Sequence, residues 1–258
     1  MIGIIKFEDV SVVYPGGVEA LTDFSLEFEP GEFVIVVGLS GAGKSTMLRT
    51  INNLVKPSKG KVLIDGEDIT NAKKKRLKQL RSQVGMIFQN FNLVNRSLVI
   101  RNVLAGRLSD VPTWRTLLGL FPKEDKEIAL ECLRRVRIEE KANVRADKLS
   151  GGQQQRVGIA RALAQEPKIL LADEPVASLD PPTSHAVMKD LKRINEEDNI
   201  TTLVNLHFID LAREYGERII GLRDGKLIFD GTAEEATDEV FEEIYGRTIK
   251  DEDIRGEG

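Results

Sequence analysis

The sequence is poor in the residues that form disulfides and zinc sites. Its 258 residues include one cysteine, Cys132, and two histidines, His185 and His207. One cysteine excludes an intramolecular disulfide, and so few thiols and imidazoles argue against a zinc site of the Cys/His type. The chain is nevertheless long enough to bury a substantial apolar core.

An excess of positive charge and long hydrophobic runs are also missing. The net charge of −4 gives no support for a nucleic-acid partner, whose binding surface is usually basic. Residues 1–8 become acidic too early for a signal peptide, and apolar runs such as residues 33–37 are too short to span a bilayer. We therefore expect a cytoplasmic globular protein that needs partners if it works at a membrane.

Short apolar runs alternate with helical patterns along most of the chain, which predicts an α/β fold with a mostly parallel sheet. The predicted strands are residues 4–13 (as an edge strand), 21–28, 33–37, 60–64, 84–88, 169–172, 201–206 and 218–222. Residues 90–148 have helical periodicity and predict an inserted helical subdomain. The basic stretch 73–81 could contact phosphate or lipid, or be a solvated helix face. Residues 246–258 are charged and predict a loose tail.

Residues 38–45, GLSGAGKS, match the phosphate-binding pattern G-x-x-x-x-G-K-[ST] between a buried strand and a helix. Glycines allow backbone N–H groups to surround a phosphate chain, and the following helix N-terminus favours the same anion. Lys44 is expected to bridge the β- and γ-phosphates, and Ser45 to ligate Mg²⁺. The other nucleotide-binding residues predicted here are Gly38, Ser40, Gly41, Gly43 and Thr46.

Asp173 and Glu174 directly follow the apolar run 169–172. A carboxylate at the carboxyl end of a parallel strand lies over the crevice in which such sheets bind ligands. We therefore expect Asp173 to hold Mg²⁺ and Glu174 to act as the base that polarises the attacking water.

Residues 149–153, LSGGQ, precede a second helical pattern. Small residues at a helix N-terminus can bind an anion, whereas Ser150 could equally be an ordinary N-cap, and both can hold together. The residues expected to contact nucleotide are Ser150, Gly151, Gly152 and Gln153.

A phosphate loop, LSGGQ and an Asp-Glu pair in this order resemble the ATP-binding cassette (ABC) ATPases, over almost the whole sequence. The resemblance implies a P-loop NTPase cassette: a RecA-like, mostly parallel sheet, an antiparallel β subdomain and an inserted helical subdomain. Residues 1–245 would form the ATPase domain, with its core at 1–89 and 149–245, the helical subdomain at 90–148, and a charged tail at 246–258. The implied cofactors are ATP and Mg²⁺.

The same resemblance gives roles to further residues. Two copies would sandwich two ATP molecules, with LSGGQ of each copy facing the ATP of the other. Gln89 looks like the glutamine that contacts Mg²⁺ and water, Asp180 like a dimer-contact residue, and His207 like the switch histidine at the γ-phosphate. Tyr14 resembles the aromatic that stacks on adenine, although a half-buried strand tyrosine is the alternative. His185 is expected to be structural.

A single cassette without membrane spans favours the energy-coupling subunit of a transporter over soluble ABC ATPases of DNA repair or translation. A P-loop kinase or GTPase would not explain LSGGQ. Residues 88–96, 102–108, 113–117 and 218–225 resemble the phosphonate importer ATPases, although phosphite, a phosphate ester or another small anion stays open as cargo. The implied partners are integral membrane permease subunits and, indirectly, an extracytoplasmic substrate-binding protein, with the chain at the cytoplasmic face of the membrane.

Two local features accompany that narrower resemblance. Trp114 lies in an element that could either dock on a membrane subunit or pack within the helical subdomain. Asn205 stands where threonine or serine would be expected, before Leu206 and His207, and Phe208-Ile209 replaces a more polar pair. These changes flank His207 without removing it, so ATPase activity is still expected.

Overall fold

The computed structural model describes residues 4–109, 111 and 120–254. Its N-terminal part is an antiparallel sheet in which inward-facing apolar residues alternate with exposed ones, and the rings of Phe7 and Phe24 meet edge to face at 5.1 Å. The strands, in spatial order, are β2 (Val18–Phe28), β1 (Ile5–Tyr14), β4 (Lys59–Ile64) and β5 (Glu67–Asp68).

The position of β1 corrects a prediction. Residues 4–13 were expected to form an edge strand, whereas β1 pairs with β2 on one side and with β4 on the other. The alternation of apolar residues indicates that one face is buried, but it carries no information about how many neighbours a strand has.

The second sheet has the strand order β10-β9-β3-β8-β7-β6, and all its pairings are parallel except that of β10 with β9. Every residue of the central strand β3 is buried, as its continuous apolar run predicts. The prediction of a mostly parallel sheet is confirmed. The strands are β3 (Phe33–Val37), β6 (Val84–Ile87), β7 (Ile169–Asp173), β8 (Thr201–Asn205), β9 (Arg218–Arg223) and β10 (Lys226–Thr232).

Alternation along β3 divides the apolar core between the two faces of this sheet. Val34 and Val36 join the core shared with the antiparallel sheet, and Phe33, Ile35 and Val37 join the core under most of the helices. The helices are α1 (Lys44–Ile51), α2 (Lys74–Arg81), α3 (Val99–Leu104), α4 (Lys123–Arg135), α5 (Gly151–Leu163), α6 (Pro181–Asp198), α7 (Ile209–Tyr215), α8 (Asp238–Tyr245) and α9 (Asp251–Ile254).

Helices α3, α4 and α5 pack against one another through buried side chains such as Val103 and Leu133. Arg107, itself buried, forms an ion pair with Asp125 at 2.9 Å. Cys132 is buried in this region, and burial raises the pKa of its thiol to about 12. The predicted element around Trp114 lies outside the described residues.

The chain after residue 245 corrects the prediction of a loose tail as far as residue 254. Arg247 forms two hydrogen bonds to the carboxylate of Asp253, at 2.7 and 2.9 Å, and Asp253 is buried. The charged residues of this segment predict solvent exposure, because the sequence does not reveal that Arg247 and Asp253 pair and that Asp253 can therefore be buried. Across the described parts of the chain, none of the helices combines the length and apolarity needed to cross a membrane.

Candidate functional site

The turn from β3 into α1 requires glycine. Gly38, Gly41 and Gly43 have φ angles of 149°, 86° and 104°. A Cβ on Gly43 would lie 2.4 Å from the carbonyl oxygen of Ala20, so no larger residue fits without movement. The glycines thus form a tight loop that leads directly into a helix N-terminus, which is a suitable site for phosphate.

Lys44, the first residue of α1, is only 4% exposed. Its ammonium group donates to the carbonyl oxygens of Gly38 and Leu39, at 2.6 and 3.2 Å. Burial lowers the pKa of Lys44 to about 8, although the charges of Glu174 and Asp173 oppose this shift. A buried cation close to two carboxylates can bind a polyphosphate, whose charge would stabilise the ammonium form.

Asp173 ends β7 and interacts with three side chains from two elements, α1 and β8. Its Oδ1 accepts hydrogen bonds from Ser45 Oγ at 2.7 Å and from Asn205 Nδ2 at 2.9 Å, and its Oδ2 lies 3.2 Å from an Arg49 nitrogen. The strand register places Asp173 beside Asn205, so the two carboxyl strand ends meet at one edge of the sheet.

The oxygens of Ser45 and Asp173 are the hard donors that Mg²⁺ prefers, and they already lie side by side. Within residues 4–109, 111 and 120–254, no group of three or more His, Cys, Asp or Glu side chains could hold a metal ion unaided. Gln89, exposed and two residues past β6, lies at the same edge of the sheet.

Glu174 follows Asp173 and has a φ of 51°, which is uncommon for a residue other than glycine. Its Oε1 is hydrogen-bonded to Nε2 of His207, two residues past β8. That hydrogen bond is the main reason that the pKa of Glu174 is lowered, partial burial opposes it, and the charges of His207 and Lys44 add to it. Glu174 is therefore a carboxylate at neutral pH, which a general base requires.

Residues 149–153 lie at the N-terminus of α5, where Ser150 and Gly151 are exposed. Ser150 Oγ accepts from the backbone N–H of Gln153, and Gln153 Oε1 accepts from the N–H of Ser150, at 3.4 and 3.1 Å. This reciprocal capping box agrees with the N-cap interpretation. A Cβ on Gly152 would lie 2.5 Å from Thr183, so this glycine permits close packing of α5 on α6.

Other predicted site residues also have structural partners. Asp180 is the N-cap of α6, and its carboxylate accepts from the backbone N–H of Thr183 at 3.2 Å. Tyr14 Oη lies 3.2 Å from Thr46 Oγ1, so the half-buried tyrosine contacts the phosphate-loop helix. Ser40 is exposed at the top of that loop. His185 lies elsewhere, with its Nδ1 3.1 Å from Tyr215 Oη.

The structure thus brings Lys44, Ser45, Asp173, Glu174 and His207 together. Among the described residues, no hydrogen bond joins residues 149–153 to this group. The LSGGQ segment is therefore a separate region of the protein.

Two residues of the site were missed by the sequence reasoning. Asn205 was interpreted only as a flanking change, but it is fully buried and donates to Asp173. Arg49 is one turn beyond Ser45 on α1 and reaches the same carboxylate. A signal for Asn205 was present, because a polar residue at the end of a fully buried strand needs a partner.

Comparisons with known proteins identify the family. The family model described as ABC transporter matches residues 21–177. The chain is 62% identical over 252 residues to the phosphonates import ATP-binding protein PhnC of Staphylococcus epidermidis, covering 98% of each chain. It is 59% identical over 253 residues to phosphonates import ATP-binding protein PhnC 3 of Halalkalibacterium halodurans, again covering 98% of each.

Solved structures give the same result for the fold. A dimeric, post-hydrolysis structure of the ATP-binding cassette MJ0796 with ADP and Pi aligns with a TM-score of 0.77 at 39% identity, covering 89% of this chain and 98% of that one. A nucleotide-free ATP-binding cassette from an ABC transporter aligns with a TM-score of 0.82 at 26% identity, covering 95% and 100%.

Proposed function

This chain belongs to the ABC transporter family and is an ATP-hydrolysing subunit, and on that premise we propose that it powers the import of phosphonates through separate membrane subunits. The observation that carries the proposal is the identity along nearly the full length of both chains to phosphonate import ATP-binding proteins. The grouping of Lys44, Ser45, Asp173, Glu174 and His207 supports the catalytic part of it.

In the proposed mechanism, the phosphate loop binds the triphosphate of ATP. Lys44 exchanges its hydrogen bonds with Gly38 and Leu39 for bonds to the β- and γ-phosphates. The remaining backbone donors of the loop and the N-terminus of α1 orient the chain of phosphates. Tyr14, which contacts Thr46, stacks on the adenine ring.

Ser45, Asp173 and Gln89 would hold Mg²⁺, with Asp173 acting through a water molecule. When bound, the metal offsets negative charge on the β- and γ-phosphates. Asn205 and Arg49 restrain the carboxylate of Asp173, so it is oriented before nucleotide arrives.

Glu174 acts as the base that accepts a proton from the attacking water. Its lowered pKa keeps it ionised at neutral pH, because the hydrogen bond with His207 favours the carboxylate. His207 contacts the γ-phosphate, and Gln89 helps to orient the water. Phosphoryl transfer depends mainly on positioning and charge stabilisation, so these groups must converge on one phosphate.

A second copy of the chain completes each site. We propose that Ser150, Gly151, Gly152 and Gln153 of one copy contact the ATP held by the loop of the other, and that Asp180 lies at the contact between them. Two chains would then enclose two ATP molecules about a twofold axis. Ser150 and Gly151 are exposed, and Gly152 and Gln153 are half-buried, which leaves these four residues accessible to such a partner.

The chain would work at the cytoplasmic face of the membrane, held there by integral permease subunits, with an extracytoplasmic binding protein delivering cargo. The proposed division is a core at 1–89 and 149–245 and a helical subdomain at 90–148. Dimer closure around ATP would move the helical subdomains and, with them, the permease, and hydrolysis would reset both.

Growth tests this function directly. A strain that lacks this gene and any second phosphonate importer is grown with a phosphonate, phosphite or inorganic phosphate as the only phosphorus source. Plasmid copies of the wild-type gene and of Glu174→Gln are returned in parallel. We expect the deletion strain to fail to grow on the phosphonate but to grow on phosphite and on inorganic phosphate. The wild-type gene should restore growth on the phosphonate, and Glu174→Gln should not.

Two outcomes would contradict the proposal in different ways. Undiminished growth of the deletion strain on phosphonate, with failure on phosphite, would change the assigned cargo. Rescue by Glu174→Gln, at equal protein level, would show that hydrolysis at this glutamate is not needed for transport.

A further inference from the structure

His207 is anchored at two points, and only one of them belongs to the site described above. Its side chain is hydrogen-bonded to Glu174, whereas its backbone carbonyl oxygen accepts a hydrogen bond from Tyr245 Oη at 3.1 Å. Tyr245 is the last residue of α8, 38 positions further along the chain. A distant C-terminal side chain therefore fixes the connection between β8 and α7.

Tyr245 is itself held tightly. It is 4% exposed, and its ring meets that of Phe241, one turn earlier on α8, edge to face at 6.2 Å. The guanidinium of Arg247 lies 5.8 Å from its ring centroid. Burial raises the pKa of Tyr245, so its hydroxyl stays a hydrogen-bond donor throughout the physiological range.

The chain beyond Tyr245 folds back over the helix that follows His207. Gly246, with a φ of 65°, ends α8, and the Arg247–Asp253 ion pair closes the next turn. Ile249 and Ile254 then line a cavity of about 350 Å³ together with Ile209, the first residue of α7. We call residues 238–254, which comprise α8, α9 and the turn between them, the C-terminal clasp.

We propose that Tyr245 is a positioning residue for ATP hydrolysis. Through Tyr245, the C-terminal clasp holds the backbone of His207, so that the imidazole of His207 meets Glu174 and the γ-phosphate. The inference rests on the proposed role of His207. The carbonyl of His207 accepts a fixed hydrogen bond, so it cannot swing freely with the loop. Loss of that bond gives the imidazole more positions, few of which are productive.

Tyr245→Phe is the direct test, because it removes one hydroxyl and keeps the ring. We expect kcat for ATP to fall about 3- to 10-fold, the range that corresponds to one net hydrogen bond. The KM for ATP should stay the same, since Lys44 and the phosphate loop are untouched. A merely structural role would lower the melting temperature without this separation of kcat from KM.

Tyr215→Phe is the matched control. Tyr215 is also buried, and its hydroxyl lies at the other end of α7, 3.1 Å from His185 Nδ1. Like Tyr245→Phe, this change removes one tyrosine hydroxyl, so the two variants should lose a comparable amount of stability. The kcat of Tyr215→Phe should nevertheless equal that of the wild type.

The two histidines of this chain give a second readout that needs no turnover. In nucleotide-free protein, ¹H–¹³C NMR of the imidazole rings should show His207 shifted in Tyr245→Phe and His185 shifted in Tyr215→Phe. An unchanged His207 spectrum with unchanged kcat in Tyr245→Phe overturns the proposal. So does an equal fall of kcat in both tyrosine variants.

His207→Ala separates this proposal from the one on which it rests. If His207→Ala keeps wild-type turnover, the role of His207 and that of Tyr245 are both overturned. If His207→Ala is inactive while Tyr245→Phe is normal, only the role of Tyr245 is.

Asp253→Asn, which weakens the pair with Arg247, serves as the test should Tyr245→Phe fail to fold. A fall of about twofold in kcat together with a shifted His207 signal supports the role of the clasp. No change in either quantity overturns it.

Discussion

Two glycine-containing segments lead into helices in this protein, and they are built in opposite ways. In residues 38–45 the glycines have positive φ, a Cβ on Gly43 would clash with backbone, and Lys44 is 4% exposed. In residues 149–153 no glycine has positive φ, and Ser150 and Gly151 are exposed. The first segment forms an enclosed loop within one chain, whereas in the proposed dimer the second presents its helix terminus to the other copy.

Hydrogen bonding shows the same contrast. Ser45 of the first segment donates to Asp173, which also accepts from Asn205, so a single substitution there disturbs several elements. The side chains of Ser150 and Gln153 cap each other within one helix turn. We therefore expect changes in the first segment to affect folding and nucleotide binding, and changes in the second to affect only steps that need two chains.

The largest effect is expected at Glu174. Glu174→Gln removes the base and keeps the shape of the side chain, so turnover should fall about 10²- to 10⁴-fold. ATP binding should remain, because Lys44 and Ser45 are unchanged. Phosphate release and equilibrium ATP binding, measured on the same preparation, check this. Wild-type turnover would show that another group is the base.

A pair of glycine variants tests the contrast itself. Among the described residues, a Cβ at position 151 would meet only the Leu179 side chain, at 3.6 Å, and the Phe91 ring edge, at 3.9 Å. The free energy of unfolding of Gly151→Asp should therefore differ from that of the wild type by no more than about 0.5 kcal/mol. Hydrolysis should nevertheless fall about 10²-fold, because a carboxylate would face the phosphates of the second chain. ATP binding by the monomer should be unchanged.

The matched change in the enclosed segment is Gly43→Ala, which forces a Cβ towards the Ala20 carbonyl. We expect a loss of about 2 kcal/mol or more in unfolding free energy, together with weak ATP binding. Urea unfolding and titration with a fluorescent ATP analogue distinguish the two variants. If the Gly151→Asp monomer also bound ATP weakly, the expected difference between the two glycine-containing segments would be contradicted.

The buried charge of Lys44 predicts a pH-dependent stability. Its folded-state pKa is about 8, below the ordinary 10.5, so between these pH values the unfolded chain binds more protons and the native state gains stability as pH rises. Lys44→Met lacks this contribution. Its stability relative to the wild type should therefore decline by up to about 3 kcal/mol from pH 7.5 to 10.5.

Urea unfolding of nucleotide-free protein across that range measures the difference. Lys189→Met, which removes an exposed lysine on α6, is the control and should keep a constant difference from the wild type. A constant difference for Lys44→Met as well would mean that Lys44 carries its full charge in the free protein.

The smallest effect is expected at Asn205. Asn205→Leu removes the donor to Asp173 and, with it, a buried Oδ1 for which the described residues supply no hydrogen-bond partner. Loss of the hydrogen bond lowers stability, and removal of the unsatisfied oxygen raises it. The free energy of unfolding should therefore stay within about 1 kcal/mol of the wild-type value. The Mg²⁺ concentration for half-maximal hydrolysis should rise about tenfold, because Asp173 loses its restraint. An unchanged Mg²⁺ titration would contradict this.

Local chemistry explains how much the sequence could predict. The run Phe33–Val37 and the glycines after it determine strand, turn and helix start from neighbouring residues alone, and the structure agrees. Ser150 with Gln153 likewise predicts a helix N-terminus. Such features depend on contacts between residues close together in the chain.

Apart from the tail, where Arg247 pairs with the nearby Asp253, the missed features concern partners far apart in the chain. β1 has neighbours on both sides, Asn205 donates to Asp173, and Tyr245 reaches His207, each across tens of residues. Strand periodicity and charge cannot specify such pairings, since many alternative registers bury the same residues.

The burial of Cys132 has a practical consequence for studying the assembled protein. Since the thiolate is the reactive form, a thiol whose pKa is about 12 should take up almost no maleimide at neutral pH. The natural sequence is therefore already a background for single-site labelling. One added cysteine, such as Ser178→Cys on the exposed turn before α6, would carry a lone spin label or dye. The distance between two such labels could then follow ATP-driven pairing of the chains in real time.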